Sequence, residues 1–276
     1  MNLRTAVERF TVETVTDPYG VGGTIKGHLS VFDDEKSSGV STRRRILETL
    51  PTYAMFSSNC VSHAGKTYIV GSPNYDFHRD VVIRAKYPAI PCDFTYKVAT
   101  ILQILTETVT WTNTYASLDQ TKVAVADSET SWPVVMFLGF FQSLESISKG
   151  QIMLTGSTYY KIRSDPYLDG AGFKNAELLL LTSPVQTVTY TQVSGYNHVT
   201  ETVINGASYA NTKVFSEDAY YCYEHTSERY TQLKPGDKNI TFKPSVTPKA
   251  GDTIGAYKIL SVDTVADGSF SCHCRK

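Results

Sequence analysis

Apolar and polar residues alternate along this chain in short runs, separated by glycine, proline and small polar clusters. That is the period of half-buried strands. The first run, Arg9 to Val15, places Phe10, Val12 and Thr14 on one face. A turn at Asp17-Pro18-Tyr19-Gly20 leads to a strand over Thr24–Phe32, and the small, polar stretch Asp33 to Ser41 reads as a loop. Further strands are expected at Val81–Tyr87, Val109–Thr114, Val134–Phe141, Val188–Val193 and Ala219–Tyr223. In Asp93–Thr108, Val98, Ile101, Leu102 and Leu105 have helical spacing and predict a short helix, although the Thr and Ile content also permits a strand.

One strand is written three times: Tyr68-Ile69-Val70-Gly71-Ser72, Tyr160-Lys161-Ile162-Arg163-Ser164 and Tyr257-Lys258-Ile259-Leu260-Ser261. Each copy follows a glycine (Gly65, Gly156, Gly255) and precedes an aspartate (Asp76, Asp169, Asp267). Strand, glycine turn and strand make the signature of a hairpin. The pattern predicts a mainly β chain of tandem small antiparallel barrels or sandwiches with little helix. The units would span 1–105, 106–183 and 184–276, with linking loops near 88–108 and 182–187. Only a few positions match per copy, so the pattern fits one unit used three times or three similar hairpins.

Composition supports a folded core: of 276 residues 41% are hydrophobic and 19% charged. The formal charge of -1 argues against a nucleic-acid coat or a membrane-surface binder. The apolar run Val134–Phe141 is far too short to span a bilayer. Five cysteines (Cys60, Cys92, Cys222, Cys272, Cys274) form no disulfide framework and read as reduced thiols. Met1-Asn2-Leu3-Arg4-Thr5 lacks the apolar block of a signal peptide.

Four places suggest chemistry. Ala64-Gly65-Lys66-Thr67 is like the tail of a phosphate-binding loop, but Cys60 stands where that loop needs its first glycine, and Tyr68-Ile69-Val70 is strand-forming where it needs a helix. A hairpin turn is the simpler reading. Asp76, His78 and Asp80 alternate and would share a strand face able to hold a divalent metal, although a turn aspartate explains Asp76 as well. Cys272-His273-Cys274 suggests zinc, yet alternation would put the thiols on one face and the imidazole on the other. Arg43-Arg44-Arg45 is the densest basic spot, facing an acidic partner, DNA phosphates or only water. No arrangement meets the geometric roles of a reaction. The expectation is a chain that is not an enzyme, without catalytic residues, cofactor or metal.

The order Arg43-Arg44-Arg45-Ile46-Leu47, Pro51, Gly65-Lys66-Thr67-Tyr68-Ile69-Val70-Gly71, Asp76 and Val82-Ile83-Arg84-Ala85-Lys86-Tyr87 resembles the head-closure or head–tail connector proteins of tailed bacteriophages. The resemblance covers residues 20–90. It implies a first unit of head-closure type, a virion protein made in the host cytoplasm, and a ring of copies around the DNA channel. The implied partners are itself and portal, adaptor or tail proteins, with non-specific proximity to genomic DNA and no membrane. Arg43, Arg44 and Arg45 are the candidate contact residues. The alternative is a tail-fibre or receptor- and glycan-binding β module, for which Trp111, Tyr220, Tyr221 and Tyr223 would be the contacts.

Overall fold

The computed structural model describes residues 13–31, 45–56, 58–109, 114–119, 136–141, 147–221 and 233–276. These build three closed six-stranded antiparallel barrels and one short helix. The first barrel comprises β1 (Glu13–Thr16), β2 (Thr24–Val31), β3 (Arg45–Thr49), β4 (Cys60–His63), β5 (Lys66–Val70), β6 (Asn74–His78) and β7 (Val81–Pro91). Its order is β3-β2-β1-β4-β5-β7, closed by β3 against β7, with β6 continuing the line of β5 along β7.

The second barrel comprises β8 (Phe94–Ala99), β9 (Thr114–Asp119), β10 (Met136–Phe141), β11 (Ile152–Thr155), β12 (Thr158–Ile162), β13 (Tyr167–Leu168) and β14 (Lys174–Leu181). Its order, β10-β9-β8-β11-β12-β14-β13 with β10 closing on β14, repeats the first strand for strand. The third comprises β15 (Val185–Asn197), β16 (Thr202–Asp218), β17 (Lys238–Phe242), β18 (Thr253–Ile254), β19 (Tyr257–Thr264) and β20 (Phe270–Arg275), in a closed ring β15-β16-β17-β20-β19-β18. That is the same ring, with the two pieces β5 and β6 replaced by one strand, β19. A bulge at Leu260 marks the place of the break. One topology is therefore used three times.

The repeated hairpins owe their turns to positive φ. Ala64 and Gly65 both take it, at 47° and 75°, while Gly156 and Gly255 take it at the first turn position. Counted from these turns, Tyr68 and Tyr160 are the third strand residues, but Tyr257 is the first and Ile259 the third. The third copy thus matches two residues out of step, which a period of two hides because the face is kept.

Several expectations are corrected. The first boundary falls between Pro91 and Phe94, not after residue 105, because β8 pairs with β9 and β11 of the second barrel. Residues 88–108 are not a loop: they hold the end of β7, β8 and the helix α1 (Ile101–Leu105). The ambiguous Asp93–Thr108 is thus strand and then helix. Thr100 caps α1 in a reciprocal box, its Oγ accepting from the Gln103 amide at 3.2 Å while its own amide donates to Gln103 Oε1 at 2.8 Å. The opening strand of the second unit is β8, not Val109–Thr114, of which residues 110–113 lie outside the described residues. Ala219–Tyr221 is a 3-10 turn rather than the start of a strand. The loop expected at Asp33–Ser41 lies outside the described residues.

Each barrel has its own interior, centred on Leu47 and Val61, on Phe141 and Ile162, and on Phe242 and Ile259. Two more apolar clusters lie in seams between barrels. Cys60, Ile69 and Ile90 of the first meet Phe140 and Phe173 of the second. Ile104, Leu105, Ile152, Leu154, Leu179 and Leu181 of the second meet Phe215 and Tyr220 of the third. In the first seam the backbones touch, the Ser72 amide donating to the Ala171 carbonyl at 2.7 Å. Across the second, Lys161 Nζ donates to both carboxylate oxygens of Glu217 at 2.9 and 2.8 Å, and the Glu217 side chain is 2% exposed.

Candidate interaction surface

The third barrel differs from the others in the length of its first hairpin. β15 and β16 stay paired from Val185 and Phe215 to Asn197 and Thr202. Their other neighbours stop early: β18 reaches only Tyr190 and Thr191, and β17 only Val214 to Asp218. Beyond these points a two-stranded ribbon leaves the barrel, with no third strand beside it among the described residues. Positions 201–211 are exposed throughout.

The root of the ribbon is fixed. Tyr190 is fully buried and packs edge-on against Phe242 at 5.4 Å. Its hydroxyl donates to Asp252 Oδ2 at 2.6 Å, and Asp252 also accepts from the Val193 and Lys249 amides at 2.8 Å each. Burial first, and the bond to Asp252 second, push the phenol well above its usual range. Tyr209, one strand over, stacks on the Tyr190 ring at 5.8 Å and 15°. Bulges between Val188 and Gly195 add twist here, and Asn211 takes a φ of 56°. Past them the ladder is regular, from Gly195 opposite Ile204 to Asn197 opposite Thr202. Asn197 Oδ1 closes the tip by accepting from the Val199 and Thr200 amides at 2.9 and 3.3 Å.

The ribbon carries apolar side chains into water. Val199 is 93% exposed, and Tyr196, Val203, Ile204 and Tyr209 are each about half exposed. Tyr196 and Val203 face each other across the strands. From Thr191 to Asn211 the sequence has no lysine, arginine or proline, and Glu201 is its only acid. Exposed sheet edges are ordinarily blunted by lysine, proline or shortness. This one has none of these, and its bulges end at Gly195, short of the tip.

The expected chemical sites come out differently. Ala64-Gly65 is the two-residue turn between β4 and β5, so Lys66 and Thr67 lie on a strand. Asp76 is on β6, paired with Lys86 at 2.9 Å, and is not a turn residue. Arg79 and Asp80 form the β6–β7 turn, both at positive φ, so Asp76, His78 and Asp80 do not share one strand face. Asp169 and Asp267 are turn residues, accepting from the amides of Ala171 and Phe173 and of Ser269. Cys272 and Cys274 point into the third barrel and His273 points out, as alternation requires. Burial pushes the Cys272 thiol up to about 12. Among the described residues, no group of three His, Cys, Asp or Glu side chains is arranged to hold a metal.

Arg45 begins β3 in the first barrel, opposite Val31 and Ala89, whereas Arg43 and Arg44 lie outside the described residues. Tyr220 is buried in the second seam, which removes it as a glycan contact. Tyr221 ends the 3-10 turn, and Trp111 and Tyr223 lie outside the described residues.

A buried ionic cluster escaped the reading of the sequence. Asp237 is 1% exposed and accepts from His273 Nε2 at 2.8 Å and from Arg275 Nε and Nη2 at 2.8 and 2.7 Å. Burial opposes its charge, but the bonds from Arg275, the Lys234 amide and His273 outweigh that and bring the carboxyl down to about 2. The cluster ties β20 to the turn before β17. Its signal was His273 and Arg275 sharing the outer face of one strand.

No protein-family model, curated protein or solved structure matches this chain.

Proposed function

We propose that this chain is a structural component of a tailed-phage virion, in the neck or upper tail, assembling with copies of itself as a ring around the DNA channel. The observation that carries the reading is the projecting ribbon. A two-stranded hairpin is at best marginally stable alone in water, and this one exposes apolar residues and unprotected edges. Such a surface belongs to a subunit of a larger assembly. Three barrels joined through apolar seams make the body of that subunit. The stretch that resembles head-closure proteins lies largely within the first barrel. A formal charge of -1 suits a channel wall that must let DNA slide.

In this reading Arg43, Arg44 and Arg45 contact a neighbouring portal, adaptor or tail protein, where the guanidinium fork suits carboxylate pairing. The protein is made in the host cytoplasm and ends in the virion, and it acts without cofactor or catalysis. Negative-stain images of the purified protein should show rings of uniform diameter. A particle that stays monomeric at every concentration would overturn the ring.

A further inference from the structure

We propose that the ribbon of β15 and β16 is the assembly element, and that it pairs edge to edge with the ribbon of a second copy of this chain. The proposal rests on the ring reading above and names the surface that makes the ring.

The ribbon has two bare edges. On β15 the outer edge is unpaired from Ser194 to Asn197, past the Val193 amide held by Asp252, and on β16 from Thr202 to Asn211, among the described residues. The two strands are antiparallel, so the β16 edge of one copy can continue the ladder against the β15 edge of the next. Such a contact is head-to-tail. It uses a different edge on each partner and closes into a ring when the rotation allows.

Composition favours this occupant for the ribbon, Thr191 to Asn211. Its one acid and absence of lysine match the charge-poor centre of an interface. Among the described residues the chain's other bare edges are shorter. β6 is only five residues long and carries Asp76 and His78, with Arg79 and Asp80 at its turn. β13 has two residues. Both are edges of the blunted kind, so among the described residues the counterpart that fits the ribbon is another ribbon. The regular ladder from Gly195 to Asn197 and Thr202 to Ile204 is where pairing would be cleanest.

The test compares the full chain with two variants by mass photometry and sedimentation. In one, Gln192–Ala207 is deleted and Thr191 is joined to Ser208 through Asn-Gly, which keeps the root at Tyr190 and Tyr209. In the other, Tyr196→Lys and Val203→Lys place charge on the cross-strand apolar pair. The expected result is that the wild type assembles and both variants stay monomeric. If the wild type assembles and the Lys variant assembles equally well, the ribbon proposal fails while the ring stands. If the wild type never assembles, both fail. Hydrogen exchange on the wild type decides the matter even if the shortened chain misfolds. Protection of the 194–197 and 202–211 amides should rise with protein concentration. A rise confined to the barrels would overturn ribbon pairing.

Discussion

Replacing Gly172 with alanine should loosen the seam between the first two barrels. Gly172 holds a φ of 79°, in the left-handed region that costs an alanine about 1–2 kcal/mol. A Cβ there would lie 2.0 Å from Ser72 Oγ and 2.6 Å from the Ser72 backbone nitrogen. The hydroxyl can turn away but the backbone cannot, so the two chains must part. Overpacking of this kind costs about 1–3 kcal/mol. The Ser72 amide bond to Ala171 shares the same backbone and should break with it. A total near 3 kcal/mol corresponds to an increase of roughly a hundredfold in exchange of the Ser72 amide, if that amide exchanges by opening of the seam. Native-state hydrogen exchange reads this residue directly. The β17–β20 amides of the third barrel act as the internal control, since they lie beyond the other seam. Unchanged exchange at Ser72 would refute the reasoning, and a uniform rise across all three barrels would show that the seam is not a separate opening unit.

Three further outcomes are expected. Lys161→Met should destabilise by about 3–5 kcal/mol, since it leaves the buried Glu217 charge unpaired, and adding Glu217→Leu should recover most of the loss; urea denaturation of the single and double variants checks this. Asp237→Asn should lose about 2 kcal/mol near neutral pH, the worth of lowering the carboxyl from 3.8 to about 2. Because the folded value is the lower one, that stabilisation is present above pH 3.8 and is lost as pH falls through 2, so denaturation curves of wild type and variant should converge in strong acid. Replacing Arg43, Arg44 and Arg45 together with alanine should leave the melting temperature within a few degrees of wild type. In the virion it should impair attachment of tails to filled heads, and normal infectious particles would remove the contact.

The β class was legible because strand alternation and glycine turns are local signals. Gly156 and Gly255 sit where a two-residue turn needs positive φ, and Tyr68 and Tyr160 mark equivalent strand positions. The boundary was misplaced because β8 and α1 follow one another without a loop, and Ile101 and Leu105 drew the helical spacing back over the end of the strand. The ribbon was not legible because Thr, Ser and Asn on a projecting hairpin read like those on the outside of a barrel. Only the full pairing shows that, among the described residues, no wall stands behind Tyr196 and Val203. A clue was the long run from Val185 to Asp218, free of proline. Asp237 could not be matched with His273 and Arg275 by spacing, since the barrel closes a long chain segment between them.

The seams also bear on how the chain comes off the ribosome. The middle barrel is apolar inside and out: β11 buries Ile152, Met153 and Leu154 in succession, and β14 buries Leu178 and Leu179 side by side. Its inner residues are covered as soon as it closes, but Leu154, Leu179 and Leu181 wait for Phe215 and Tyr220, which are translated later. During that interval a nascent chain carries a completed barrel with one greasy flank. Three units of one topology are therefore not interchangeable beads, and the middle one covers apolar surface against a neighbour on either side.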